Sequence, residues 1–177
     1  MSTLRKAFPT QSRASDVEAG IYQVIVSTET PDRNEDVVMA SGGKFDSFMA
    51  NPVVLFAHDY TQLPVARALD ISAEPGRVVS TFQFPPLGQS ARADEVHALW
   101  RGGFLNAVSL GAVPLAAEPR SGGRGVKYTR WELVEYSIVP VPMNRDALRR
   151  ALALVEQSED DERLALAMVK ALKEVWQ

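Results

Sequence analysis

The sequence predicts an α+β protein in which strands dominate, on three observations. Between residues 20 and 139, short runs rich in Val, Ile, Tyr and Phe are punctuated by clusters of Pro, Gly, Asp and Asn. One stretch among them, residues 90–101, switches to a helical period. From residue 145 onward, apolar residues recur one helical turn apart. With 177 residues, 46% of them hydrophobic, the chain is long enough for one domain with an appendage.

The elements follow in order. Residues 1–18 are polar and mixed, and they predict a flexible arm with no apolar run resembling a signal peptide. Residues 20–28 (GIYQVIVST) alternate as a half-buried strand, and residues 30–35 (TPDRNE) form a loop. One or two helical turns over residues 44–50 end at Asn51-Pro52, because a residue before proline avoids the helical region. The run VVLFA at residues 53–57 is a buried strand leading into His58. Two further strands, residues 65–71 and 77–84, flank the turn signal Glu74-Pro75-Gly76. Residues 90–101 read as a helix with Ser90 as its N-cap, stopped by Gly102-Gly103. Residues 104–115 return to strand character, residues 119–125 (PRSGGRG) are a hairpin tip, and residues 126–139 form a long strand broken by Pro140 and Pro142. Asn144 is placed to cap a helix over residues 145–155, and residues 160–176 predict a second one. The organisation is therefore an arm (1–18), a β-rich body (19–144) and C-terminal helices (145–177).

Composition narrows the chemistry. Nineteen basic against 22 acidic residues leave a net charge of −3, which gives no electrostatic basis for nucleic-acid binding. No run approaches the ~20 apolar residues of a membrane span. Without cysteine there is no disulfide, thiolate nucleophile or thiolate metal site. Two histidines, His58 and His97, match no zinc-ligand spacing, so no metal and no cofactor is expected.

Three segments carry candidate chemistry. In residues 51–60 (NPVVLFAHDY), His58 ends an apolar strand where core meets solvent, a position suited to a general base and equally to a packing histidine. In residues 102–111 (GGFLNAVSLG), Ser109 lies beside Gly111; a nucleophile or an ordinary strand serine both fit, and Ala107 departs from the nucleophile elbow. In residues 131–144 (WELVEYSIVPVPMN), Glu132 and Glu135 sit in an apolar strand. Alternation puts them on opposite faces unless the strand bulges. His97, mid-helix in DEVHALW, reads as a surface or half-buried helix residue.

Together, in this order and spacing, these segments resemble the prohead protease family of tailed bacteriophages. The matching stretches are DRNEDVV (32–38), NPVVLFAHD (51–59), LPVARAL (63–69), GGFLNAVSLG (102–111) and LVEYSIVPVPMN (133–144) with Ala147, about two-thirds of the chain. The resemblance implies a herpesvirus-protease-like β-barrel with flanking helices and a helical C-terminal tail. It implies a serine endopeptidase that cuts the scaffold or major capsid protein precursor, and itself, inside the assembling prohead in the host cytoplasm, without secretion. A homo-oligomer is compatible with it.

Carried over residue by residue, Ser109 resembles the nucleophile and His58 the base. Herpesvirus proteases use a second histidine after the serine, but none follows His97 here, so the third member is an acid. Glu135 in the LVEYS motif ranks first and Glu132 second. Pro140 and Pro142 cannot donate N–H groups, which leaves the Val141 region or a turn at residues 109–111 for the oxyanion. The rival from another class is a catalytically silent capsid-assembly or scaffold-binding protein with the same fold. A small-ester hydrolase is weakened by the missing elbow.

Overall fold

A computed structural model describes residues 19–150. The elements in chain order are strand β1 (Ile21–Thr28), β2 (Val37–Val38), a 3-10 turn (Ala40–Gly42), β3 (Gly43–Lys44), helix α1 (Asp46–Ala50), β4 (Val53–Phe56), β5 (Ala66–Glu74), β6 (Arg77–Gln83), helix α2 (Ala91–Arg101), β7 (Ala107–Pro119) and β8 (Val126–Val139). The protein is mainly β, and its strands form one sheet that nearly closes into a barrel.

The 14-residue β8 is the spine of that sheet. Along one edge it pairs antiparallel with β7 over almost its whole length. Along the other it takes β2, β3 and β4 in succession, all parallel. From β4 the sheet runs on through β5 and β6 to β1. Pro140 and Pro142 lie just past the end of β8, where the missing N–H groups leave no ladder position unfilled.

The last described residues differ from expectation. Residues 145–150 were expected to open a helix; residues 145 and 146 form a turn instead, and residues 147–150 bridge β1 to β7. Ile25 N–H donates to Leu148 O (3.0 Å) and Arg150 N–H to Gln23 O (3.0 Å) on one side. On the other, Val108 N–H donates to Ala147 O (2.9 Å) and Arg149 N–H to Asn106 O (2.8 Å). The cause is tertiary: two open strand edges offer this backbone a full set of partners, and the helical spacing of Leu148, Leu152 and Val155 does not compete. Asn144, the expected helix cap, instead accepts from Asp146 N–H (2.9 Å) and donates to Thr28 O (2.9 Å), pinning the turn that delivers this strap. The arm (1–18) and the helices expected beyond residue 150 lie outside the described residues.

The core follows the alternation of the strands. Tyr22, Val24, Val54, Phe82, Phe84, Tyr136 and Ile138 are buried, and Ala93, Val96 and Trp100 bring one face of α2 onto them. Ser90 Oγ accepts from Ala93 N–H (3.3 Å), capping α2 as its sequence predicts. Tyr136 is fully buried, and its hydroxyl pairs with Ser80 Oγ at 2.9 Å. Burial pushes the Tyr136 phenol well above its ordinary value. No helix among the described residues is long and apolar enough to cross a membrane.

Candidate active site

The site is organised by a fault in β8. Trp131 and Leu133 belong to the core, and so do Tyr136 and Ile138, which strict alternation forbids. The pairing explains it: Gly111 lies opposite Glu135 and Ala112 opposite Leu133, so Val134 is an extra residue. This β-bulge resets the alternation and turns Glu135 and Ser137 away from the core. It also puts Glu132 on the same face as Glu135. Among the described residues, no hydrogen bond or ion pair joins Glu132 to His58.

Glu135 is 1% exposed and meets three donors. Its Oε1 lies 2.7 Å from His58 Nδ1, and its Oε2 accepts from Ser137 Oγ at 2.7 Å. The Tyr60 hydroxyl donates to Oε1 at 3.4 Å. A buried carboxylate without such partners would be strongly destabilising. Burial raises the Tyr60 phenol, and the neighbouring Glu135 charge adds to the rise. The carboxylate also fixes the imidazole tautomer. With Nδ1–H donating to Glu135, Nε2 keeps its lone pair and faces outward chemistry as an acceptor.

His58 reaches this position by a sharp departure from β4. Ala57 and His58 both adopt left-handed backbone (φ 56° for each), uncommon for non-glycine residues. Three hydrogen bonds hold the turn: Ala57 N–H to Ile138 O (2.9 Å), His58 N–H to Ser137 Oγ (3.0 Å) and Asp59 N–H to Phe56 O (3.2 Å). Ser137 is thus a clamp, donating to the carboxylate and accepting from the backbone of the histidine that the carboxylate binds.

Ser109 sits on β7 directly opposite Ser137, so both project from the same face of the sheet. Ser109 is 5% exposed, and its hydroxyl has no hydrogen-bond partner among the described residues. The structure therefore brings His58 and Glu135 into contact and sets Ser109 one cross-strand pair from the Ser137 clamp, without a Ser109–His58 hydrogen bond. Catalytic hydrogen bonds are often long in unliganded sites and tighten around substrate.

Two expectations change. Residues 109–111 are continuous strand rather than a turn. Since Val108 N–H points to the strap, alternation sends Ser109 and Gly111 N–H toward β8 and Leu110 N–H toward the open edge. His97, expected at the surface or half-buried, is buried: it is 5% exposed, with Nε2 2.9 Å from Tyr22 OH and its ring stacked on Phe84 at 4.4 Å. Burial, aided by Arg101 and partly opposed by Asp94, lowers its pKa.

Sequence reasoning missed Ser137 and Tyr60, and it noted Gly111 beside Ser109 without its closeness to Glu135. Ser137 is two residues after Glu135, and that period of two was the available signal. Gly111 is required by space: a Cβ there would overlap Glu135 Oε1 and come within 3.2 Å of the Tyr60 hydroxyl. Among the described residues no cluster of three or more His, Asp or Glu side chains forms a metal site.

No protein-family model and no solved structure matches the chain. It is 25% identical over 173 residues to a capsid polyprotein of Pseudomonas phage PAJU2, covering 95% of this chain and 25% of that protein. It is 28% identical over 139 residues to a prohead protease of Escherichia phage T5, covering 75% of this chain and 64% of that protein. The chain spans a quarter and just under two-thirds of the lengths of these two relatives. At low identity, then, the chain is similar to two phage proteins, one named a capsid polyprotein and the other a prohead protease.

Proposed function

We propose that this protein is a serine endopeptidase of the phage prohead protease family, with the herpesvirus-protease-like barrel as its fold. Its substrate is the scaffold or capsid protein precursor in the assembling prohead, and it also trims itself. The observation that carries the reading is the buried Glu135 bonded to His58 Nδ1, with Ser109 unpartnered on the same sheet face. A carboxylate–imidazole pair beside a serine is what acyl transfer needs. A silent assembly protein has no use for a buried carboxylate that fixes an imidazole tautomer.

The chemistry follows. An extended peptide pairs with the β7 edge beyond the strap, where Leu110 offers its backbone, and brings a carbonyl to Ser109. His58 Nε2 takes the Ser109 proton as Oγ attacks, and Glu135 stabilises the resulting imidazolium. The proton then passes to the leaving amine, and a water repeats the sequence on the acyl-enzyme. Leu110 N–H is the described donor facing this edge, which favours it over the Ser109 and Gly111 amides for the oxyanion.

The test is mass spectrometry of the purified protein beside Ser109→Ala, together with co-expression of each with a capsid precursor. Trimming and precursor cleavage should occur with the wild type and vanish in Ser109→Ala and His58→Ala. Cleavage by Ser109→Ala at the normal rate would sink the assignment.

A further inference from the structure

Beside Ser109, between the end of β1 and the free edge of β7, lies a cavity of about 230 Å³. Its walls are largely apolar: Val26, Val38, Leu110, Ala112, Pro114 and Trp131 line it. Asp32 and Asp36 also line it, and no Lys, Arg or His does. Ser109 contributes to the wall, and its hydroxyl has no hydrogen-bond partner among the described residues.

The two acids keep acceptor capacity to spare. Asp32 Oδ1 accepts from Asn34 N–H (2.8 Å) and Asp36 N–H (2.9 Å), while its Oδ2 has no partner among the described residues. Asp36 Oδ1 holds Val126 N–H (2.7 Å), and its Oδ2 meets only the Tyr128 hydroxyl at 3.5 Å. Nearby cations are turned elsewhere: Arg33 Nε donates to Pro142 O (2.9 Å), and Arg120 binds Glu35 and Arg124 O. A long side chain with an aliphatic stem and a cationic head matches an apolar wall ending in uncompensated carboxylates.

We propose that this cavity is a specificity pocket for a lysine or arginine side chain of the substrate, close to the scissile bond, with Asp32 and Asp36 receiving its charge. The proposal rests on the endopeptidase reading. An extended peptide lying along β7 beyond Leu110 passes the mouth of the cavity and has Ser109 beside it.

Two experiments test it. First, a proteome-derived peptide library is digested with the wild type, and cleavage sites are read by mass spectrometry. Lys and Arg should be enriched at one fixed position from the scissile bond. In Asp32→Asn, which retains the oxygen that accepts from Asn34 and Asp36, kcat/KM for such peptides relative to norleucine analogues should fall about 10-fold. Second, ¹⁵N NMR of Ser109→Ala should show N-acetyl-arginine N-methylamide shifting the Leu110, Ala112 and Trp131 amides more than its norleucine counterpart does. Ser109-dependent cleavage with no Lys or Arg enrichment, or equal shifts from the two amides, overturns the pocket and leaves the endopeptidase standing. Selective arginine binding without any Ser109-dependent cleavage supports the pocket and overturns the endopeptidase. Failure of both overturns both.

Discussion

Gly111→Ala is the sharpest probe of the site, because it adds one methyl group to a residue that does no chemistry. Gly111 has ordinary strand backbone, so the change introduces no conformational strain of its own. The new Cβ would overlap Glu135 Oε1, which is the atom bound to His58 Nδ1. Either the carboxylate moves or the strands part, and the β7–β8 pairing continues on both sides of Gly111, Leu110 with Tyr136 and Ala112 with Leu133, which resists parting. The carboxylate therefore moves, and the 2.7 Å bond to the imidazole is lost or badly bent. A misplacement of about 1 Å costs about 10²-fold in rate, and complete loss of the orienting acid about 10⁴-fold. The expected fall in kcat lies between those bounds. Overpacking itself costs about 1–3 kcal/mol, a drop of several degrees in Tm, so the protein should still fold. Kinetics on precursor or peptide, with circular dichroism of the same samples, separate the two effects. Adding Glu135→Asp retracts the carboxylate and should recover part of the rate, making the double variant faster than Gly111→Ala alone. Activity of Gly111→Ala within threefold of wild type would refute the geometry.

Other expectations concern the surroundings of the site. Ser137→Ala removes both the donor to Glu135 and the acceptor for His58 N–H; about 1–3 kcal/mol of stability and roughly tenfold in kcat should go, read by urea denaturation and initial rates. His97→Gln should leave cleavage per folded molecule intact and change the pH dependence of stability. Because burial lowers the folded-state pKa of His97, the unfolded chain binds the proton first. Stability is therefore full above about pH 6.5 and declines as pH falls through that value. Melting curves from pH 7.5 to 5.5 should show a shallower decline in His97→Gln, and an unchanged slope would contradict the assignment. For the strap, hydrogen exchange should protect the Ile25, Val108 and Arg150 amides as strongly as core amides. Rapid exchange at all three would show that the barrel is open there.

Most strands were legible because their boundaries are written in local chemistry. Glu74-Pro75-Gly76 marks the turn between β5 and β6, and Ser90 with Gly102 brackets α2. The three proposed site residues lie in recognisable motifs, and His58 stood out because histidine is scarce. What was hidden depends on partners distant in sequence. Residues 147–150 lie in a stretch with helical spacing but join two strands more than a hundred and about forty residues away in the chain, a gain no local pattern encodes. The bulge at Val134 decides which face Glu135 occupies, and only the register against β7 reveals it. The burial of His97 likewise depends on Tyr22 and Phe84, which local helix periodicity does not include.

The two left-handed residues before the site show how that hidden register acts on chemistry. Residues held in such backbone cost about 1–3 kcal/mol each, and here two occur in succession at Ala57 and His58. Without them β4 would continue past Phe56 as a strand, and His58 would follow the pleat along β8. The compensation comes almost entirely from residues 135–138 of β8: Ile138 O takes Ala57 N–H, Ser137 Oγ takes His58 N–H, and Glu135 takes the imidazole. The same short stretch faces Ser109 and Gly111 across β7. One bulged strand thus sets the histidine, the acid and the facing serine at once. Moving its register by one residue would reverse the faces of all its side chains, dismantling the site and withdrawing Trp131, Leu133, Tyr136 and Ile138 from the core.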